Sequence, residues 1–248
     1  MWPATTLPES LGYTWIDLLE WVFDNKWMTV AAVPTVDELR ARVTQMQGRP
    51  AAQPVRTHPA LAGLLQMQTG SSYGVESASL AMMLLAGPSA DGAWCGVVGS
   101  TEFGLEAAAA SGVELSRTIL VPDPGEAWLE VTAALVDVLG VVLVRPPAEV
   151  SAGDVARLSA RLRQRGSILV ALPSREGGDW PRCDARLSLT DVEWAGLGSG
   201  HGHLRARQAT VEVRRGVGPP ASARLWLPDV DLVFRTIDEE PTSLRSVS

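Results

Sequence analysis

Four short apolar runs set the limits on what this chain can fold into: Trp94–Gly99, Thr118–Val121, Val141–Val144 and Ser167–Leu172. Each is continuous rather than alternating, so each needs cover on both faces, the condition of a strand inside a parallel sheet. Helical patterns separate them, at Glu102–Ser111, from Asp123 to about Leu139, and from Ser151 to Arg165. Asp123-Pro124-Gly125-Glu126 offers an N-cap, a first-turn proline and an acid at the third position, a helix start. Strand and helix in alternation describe an α/β domain. Beyond about residue 173 the pattern changes. Asp184–Trp194 and His203–Arg215 alternate and Arg224–Leu227 is short, with turns at Gly196–Gly202 and Gly216–Pro220. These read as antiparallel strands extending one edge of the sheet. The expected class is α/β, a mostly parallel sheet with flanking helices and antiparallel C-terminal strands.

The stretch Gln68–Gly87 places small residues ahead of an apolar helix that Gly87-Pro88 ends. That is the position of a phosphate-binding loop. A working loop needs two glycines, a lysine and a hydroxyl at fixed spacing, so that backbone N–H groups and one cation reach the phosphates. Gly70 lies inside the stretch and Gly74 takes the second glycine position, but Thr69 stands at the first, Val75 at the lysine and Glu76 at the hydroxyl. The loop is degenerate, and a carboxylate there repels phosphate. No cofactor is expected.

At 248 residues the chain suits one α/β domain with extensions. Residues 1–60 read as an N-terminal extension: an amphipathic acidic helix over about 9–24, which is either a partner-binding helix or a leader ahead of a natural start at Met28, then a short helix opened by the capping box Thr35–Glu38, and a proline-rich linker over 49–60 holding an exposed His58. Residues 61–228 form the core, and 229–248 an acidic, flexible tail. No apolar run is long enough to span a membrane, and no basic segment precedes an apolar one as in a secretory signal. Cys95 and Cys183 are far apart without a C-x-x-C pattern. Buried thiols in a cytosolic protein are the expectation. Residues 1–144 carry 6 basic and 15 acidic groups, whereas 145–224 carry 13 basic and 8 acidic. An acidic whole excludes bulk nucleic-acid affinity and leaves a local basic face open.

The order of elements over about 60–228 resembles the RecA core. The stretch Ser111–Ala127, with Gly112-Val113-Glu114-Leu115 leading into Thr118–Val121, is similar to that family's Gly-Val-Asp-Leu segment and its sequel. Ala93–Gly99, Val144–Pro147, Gly196–Leu204 and Arg224–Pro228 resemble the actinobacterial ImuA-type proteins, RecA-like accessory factors of the mutasome. The resemblance implies two partners, an ImuB-like Y-family protein and an error-prone C-family DNA polymerase. It implies a role in damage-induced, SOS-type translesion synthesis, a cytoplasmic location near the nucleoid, and DNA touched weakly or indirectly. The departures from RecA are consistent with one another. Val75 replaces the Walker A lysine and Arg145 the Walker B acid. The water-activating glutamate falls near Ser100, or at Glu102 after a shift. Pro146–Val150 and Pro173–Arg182 are short replacements for the DNA loops. A pseudo-ATPase serving as a binding scaffold is expected, not an enzyme. Two other readings stay open: a divergent DNA-dependent ATPase using Arg145 as a substitute cation, and a cell-division inhibitor of the SulA type.

Other candidates are few. Arg157, Arg161 and Arg165 recur on one helix face opposite Val155, Leu158 and Leu162, either a solvated face complementing the helix dipole or a docking face. Leu232 and Phe234, among the acids of the tail, are candidate partner contacts, because the ImuA-type C-terminal region is implicated in contact with ImuB. His201-Gly202-His203 lacks a clear third metal ligand, and Ser100, Glu102 and Asp123 lack a nucleophile-elbow context.

Overall fold

In the computed structural model, residues 52–197 and 202–237 are described. A nine-stranded sheet forms the centre, in the order β11-β10-β9-β8-β3-β7-β6-β4-β5. Its parallel half holds β3 (Ser72–Val75), β4 (Cys95–Val98), β5 (Thr118–Val121), β6 (Val141–Val144) and β7 (Ile168–Ala171). Val141 to Val144 run in register with Cys95 to Val98 on one side and with Ile168 to Ala171 on the other. All of β3, β4, β6 and β7 is buried, as unbroken apolar runs require. The antiparallel half holds β8 (Ala185–Leu197), β9 (Gly202–Arg214), β10 (Ala221–Trp226) and β11 (Arg235–Thr236). Strand β8 is the joint: it runs parallel to β3 and antiparallel to β9.

Two helical layers cover the sheet. On one face, α1 (Ala78–Ala90) is buried from Leu80 to Ser89 and packs with α2 (Leu105–Ala110) against Tyr73, Val75, Val97, Leu143 and Val170. Leu80, Met83, Leu84 and Leu85 are fully buried, each contributing roughly 2 kcal/mol relative to exposure. On the other face, α3 (Trp128–Val136) and α4 (Ala152–Arg165) pack through Val136, Val155, Leu158 and Leu162 onto Val98, Val142, Val144 and Leu169. The Ser151 hydroxyl caps α4 by accepting from the Asp154 N–H at 3.1 Å, and Gly166 ends it at φ 72°.

Four expectations change. The stretch 69–76 is a turn at Thr69–Gly70 followed by strand: Ser72–Val75 form β3 in the middle of the sheet, bonded to β7 and to β8. Helix α1 does not stop at Gly87-Pro88 but runs to Ala90. Gly87 is there because the chain at Arg56 and Thr57 crosses it; a Cβ would lie 2.1 Å from the Arg56 carbonyl oxygen. The Asp123 cap fails because Gly125 sits at φ 56°, outside helical space, so α3 starts at Trp128 after one 3-10 turn. Finally, both edges of the core move outwards. Strand β1 (Pro54–Val55) pairs with β2 (Met67–Gln68), and Ala60 and Leu61 are buried, so this part of the expected linker is packed structure. At the other end Phe234 is buried and β11 adds to β10, so 229–237 is not a flexible tail.

Replacing Gly87 by valine is expected to cost about 3 kcal/mol in urea unfolding, because backbone rather than a movable side chain stands in the way. Gly92→Ala, with open space but φ 86°, is expected to cost about 1 kcal/mol.

Candidate functional site

In open α/β sheets ligands gather at the carboxyl ends of parallel strands. Here that edge has two parts. The first is the step from β3 to α1, which consists of Glu76 and Ser77 alone. The Glu76 N–H donates to the Leu187 carbonyl at 3.3 Å and its carboxylate accepts from the Leu189 N–H, so the residue is tied to β8. Ser77 is the N-cap of α1, its hydroxyl accepting from the Leu80 N–H at 3.4 Å. A third group reaches in from β9: Arg207 donates to the Ser79 hydroxyl at 2.6 Å and to the Leu227 carbonyl at 2.9 Å, with Trp194 stacked 5.3 Å from its guanidinium. Burial pushes the Arg207 pKa down from its ordinary value. The amino end of α1, where a phosphate would be cradled, is filled by the chain's own side chains.

The glycines of the presumed loop have packing reasons. Gly70 turns into β3 at φ 78°, where a Cβ would meet the Arg163 backbone at 3.1 Å. A Cβ on Gly74 would meet the Arg186 guanidinium and the Cys183 sulfur, each at 3.3 Å. Thr69 lies before the turn, its hydroxyl accepting from the Gln53 N–H at 3.0 Å, and Val75 is a buried core residue.

The second part lies beyond β4, β6 and β7. Strand β7 separates β6 from β3, so the end of β6 is two strand spacings, about 10 Å, from the α1 junction. Arg145 ends β6 and pairs with Glu102 rather than turning to that junction. Its Nε atom is buried without a partner. Arg175 donates to the Gly99 carbonyl at 3.0 Å and to the Thr101 hydroxyl at 3.3 Å. The chain passes so closely that a Cβ on Gly99 would lie 2.2 Å from the Arg145 carbonyl oxygen. A cleft of about 130 Å³ opens between Gly99, Asp123, Gly125, Arg145 and Arg175. Hydrogen bonds from its own N–H and from Thr101, with Arg145 nearby, hold Glu102 below the usual carboxylate range. Ser100 is buried on the same turn, and Asp123 lines the cleft. His58 is engaged elsewhere; His201 and the side chain of His203 fall outside the described residues.

The stretch Pro173–Arg182 folds inward. The Ser174 N–H donates to the Gly178 carbonyl at 2.7 Å, and Trp180 is buried against the α3–α4 core. The arginine stripe of α4 is paired to acids. Arg157 meets Asp154 one turn back, and Arg161 and Arg165 both reach Asp137, at the end of α3, at 3.2 Å. The two Asp137 contacts clamp α4 to α3. The two cysteines are free thiols, and burial pushes Cys95 up to about 11.

Leu232 and Phe234 part company. Asp229, itself buried, accepts from the N–H groups of Asp231 and Val233, each at 2.9 Å, and pairs with Arg235 at 2.6 Å. This turn directs Phe234 inward against His58, ring centroids 6.1 Å apart, and leaves Val230, Leu232 and Val233 exposed. His58 is half-buried, its Nδ1 accepting from the Ala60 N–H at 3.1 Å; it is not the exposed linker histidine expected. No sequence motif marks Arg207 or Arg175, because their partners are distant in the chain.

Fold and site define an α/β protein with a closed strand-to-helix junction and an edge where Arg145 pairs with Glu102 and Arg175 bonds Gly99 and Thr101. The chain belongs to the MT3502 N-terminal domain family, whose profile matches residues 59–182. That span carries the parallel strands and α1 to α4, and stops before β8. The uncharacterized protein Rv3395c of Mycobacterium tuberculosis is 35% identical over 111 residues, 44% of this chain and 52% of that protein. The chain therefore spans about half the length of this curated relative.

Burial holds His58 below its ordinary value of 6.5. The folded state favours the neutral imidazole, so its contribution is complete above that value and shrinks as pH falls towards the lower folded value. Thermal melts are expected to drop between pH 7.5 and 5 more for the native chain than for His58→Asn, which keeps an acceptor for Ala60. Equal slopes would remove His58 from the acid response.

Proposed function

We propose that this chain is a non-catalytic RecA-like adaptor of the mutasome, supporting damage-induced, error-prone translesion synthesis through protein contacts. The partners of this reading are an ImuB-like Y-family protein and an error-prone C-family polymerase, with DNA touched indirectly. One observation carries the pseudo-ATPase half: Glu76, Ser77 and Arg207 occupy the amino end of α1, and no lysine stands there. Phosphate binding at a helix N-terminus needs free N–H groups and an unopposed cation. Here the hydroxyl of Ser77 takes a helix N–H, Glu76 adds a negative charge, and Arg207 is committed to Ser79 and Leu227.

Further support is the sequence of elements, β3–α1–β4–α2–β5–α3–β6–α4–β7 and then an antiparallel set, the order the RecA resemblance implies. Arg145, at the position the resemblance gives to the Walker B acid, is a cation paired with Glu102. The two segments at the DNA-loop positions are short, and Trp180 anchors the second in the core. For the adaptor half, the exposed turn Val230–Val233 beside a structured β11 is a surface at the expected end of the chain.

Calorimetry with Mg-ATP is expected to show no binding, and phosphate release no stimulation by single-stranded DNA. Micromolar binding with hydrolysis that Ser77→Ala abolishes would establish the divergent-ATPase reading instead. Leu232→Asp keeps Phe234 and β11, and is expected to weaken co-purification with the ImuB-like partner at least ~tenfold, as loss of a central apolar contact does. Undiminished recovery would remove this turn from the interface, and retention of the tubulin-like division protein instead would favour the SulA-type reading.

A further inference from the structure

The parallel half of the sheet ends on β5, which pairs with β4 and, among the described residues, with nothing on its other side. Gly99 donates to the Val121 carbonyl at 2.9 Å, which sets the phase of the ladder. Ile119 and Val121 turn their backbone groups to β4, and Thr118 and Leu120 turn theirs outwards. The Thr118 N–H is taken by the Leu115 carbonyl. The Leu120 N–H and the carbonyls of Thr118 and Leu120 face out.

Side-chain cover runs out at the same place. By register Leu120 stands beside Val97 on the α1–α2 face and Ile119 beside Gly96 on the α3–α4 face. They are 37% and 38% exposed for Ile119 and Leu120 respectively, with Leu105 and Leu115 also exposed at this edge. Natural edges are blunted by charge, proline or brevity. The opposite edge obeys that rule: β11 is two residues, Arg235 and Thr236. The β5 edge has four residues without a charge or proline, between Arg117 and Pro122. Its rim is one-sided, for residues 102–130 contain six carboxylates (Glu102, Glu106, Glu114, Asp123, Glu126, Glu130) against the single cation Arg117, and with Glu102 paired to Arg145, five are left without an ion-pair partner among the described residues.

We propose that the free edge of β5 is a docking site for an extended segment of another protein, with an aliphatic centre and lysine or arginine flanks. Strand addition satisfies the outward backbone groups of Thr118 and Leu120, and alternate side chains extend the apolar cover over Ile119 and Leu120 on both faces. The rim selects the occupant. A second copy of this chain brings a second acidic rim and is repelled, whereas a basic-flanked strand is attracted and its encounter is salt-sensitive. This site rests on edge geometry and charge alone, so it stands or falls independently of the mutasome reading.

The test uses the full chain and a fluorescein-labelled peptide, Lys-Arg-Val-Thr-Val-Ile-Arg-Lys, followed by anisotropy at low and high salt. A control peptide carries glutamates in place of the four basic residues. Saturable binding of the basic peptide only, weakened by salt, is expected. Leu120→Pro removes an outward N–H without touching the β4 ladder, and should weaken binding roughly tenfold or more. The double variant Glu106→Lys, Glu126→Lys should weaken it comparably at low salt while melting like the native chain, so that the proposal is testable even should the proline variant not fold. Equal binding of both peptides, binding unchanged in the charge-reversed variant, or a dimer of the native chain that Leu120→Pro dissociates would each overturn the proposal.

Discussion

Strand β3 is bonded on both sides in parallel, to β7 through Ser72–Gly74 and to β8 through Tyr73–Val75. It carries the parallel half up to the joint at β8, so the two halves of the sheet meet through four residues. Their surroundings are arranged to let them in. Gly70 turns the chain tightly against α4, and Gly74 leaves room for Arg186 and Cys183. Asp184 accepts from the Ser72 N–H at 2.8 Å as β8 begins. The consequence for chemistry follows directly. Once residues 72–75 are strand, only Glu76 and Ser77 remain before α1, and both are committed, to β8 and to the helix cap. A junction of two residues bonded this way leaves no loop between β3 and α1, because the backbone path carries residues 72–75 through the sheet.

The parallel half was legible because a strand buried on both faces needs an unbroken apolar run, and β4, β6 and β7 have little else. Helix α4 was legible from its ends, Ser151 and Gly166, and from Val155, Leu158 and Leu162 at helical spacing. Strand β3 was not. Its local composition, Gly70-Ser71-Ser72-Tyr73-Gly74, is that of a turn, and its burial is conferred by β7 and β8, each about a hundred residues later in the chain. Gly87 and Gly125 misled in opposite ways. One reads as a helix stop and is a close crossing; the other sits inside a helix-start signature and breaks it by its φ of 56°. The same non-locality hid the site. Arg207 reaches Ser79 across 128 residues, and no spacing rule connects them.

Charge was legible only as a sum. The basic segment 145–224 looked like a face for an anionic partner, and the structure uses much of it internally. Arg145 meets Glu102, and Arg161 and Arg165 share Asp137, pairs that join the basic segment to the acidic one. Arg157 and Arg224 find acids within their own segment, Asp154 and Glu193. Exposed pairs of this kind add little to stability, typically below about 1 kcal/mol each. Their effect is on what the surface presents. The arginine stripe of α4 offers a polyanion little, because its three cations are already engaged by two carboxylates, Asp154 and Asp137.

What stays uncompensated is acid, and it is concentrated where the sheet is unfinished. The segment 102–130 surrounds β5 with carboxylates, and among these Glu102 alone has an ion-pair partner among the described residues. A nucleic-acid backbone gains affinity by releasing counterions to protein cations, and this edge has one cation to give. The turn Val230–Val233 and the exposed face of Trp194 are apolar rather than basic. Surfaces built this way meet proteins more readily than phosphates, since aromatic and aliphatic contacts rather than charge are what protein interfaces concentrate at their centres. Two sides of the molecule therefore differ in chemistry: a strand-to-helix junction closed by Glu76 and Arg207, and open surfaces whose exposed groups are apolar and acidic.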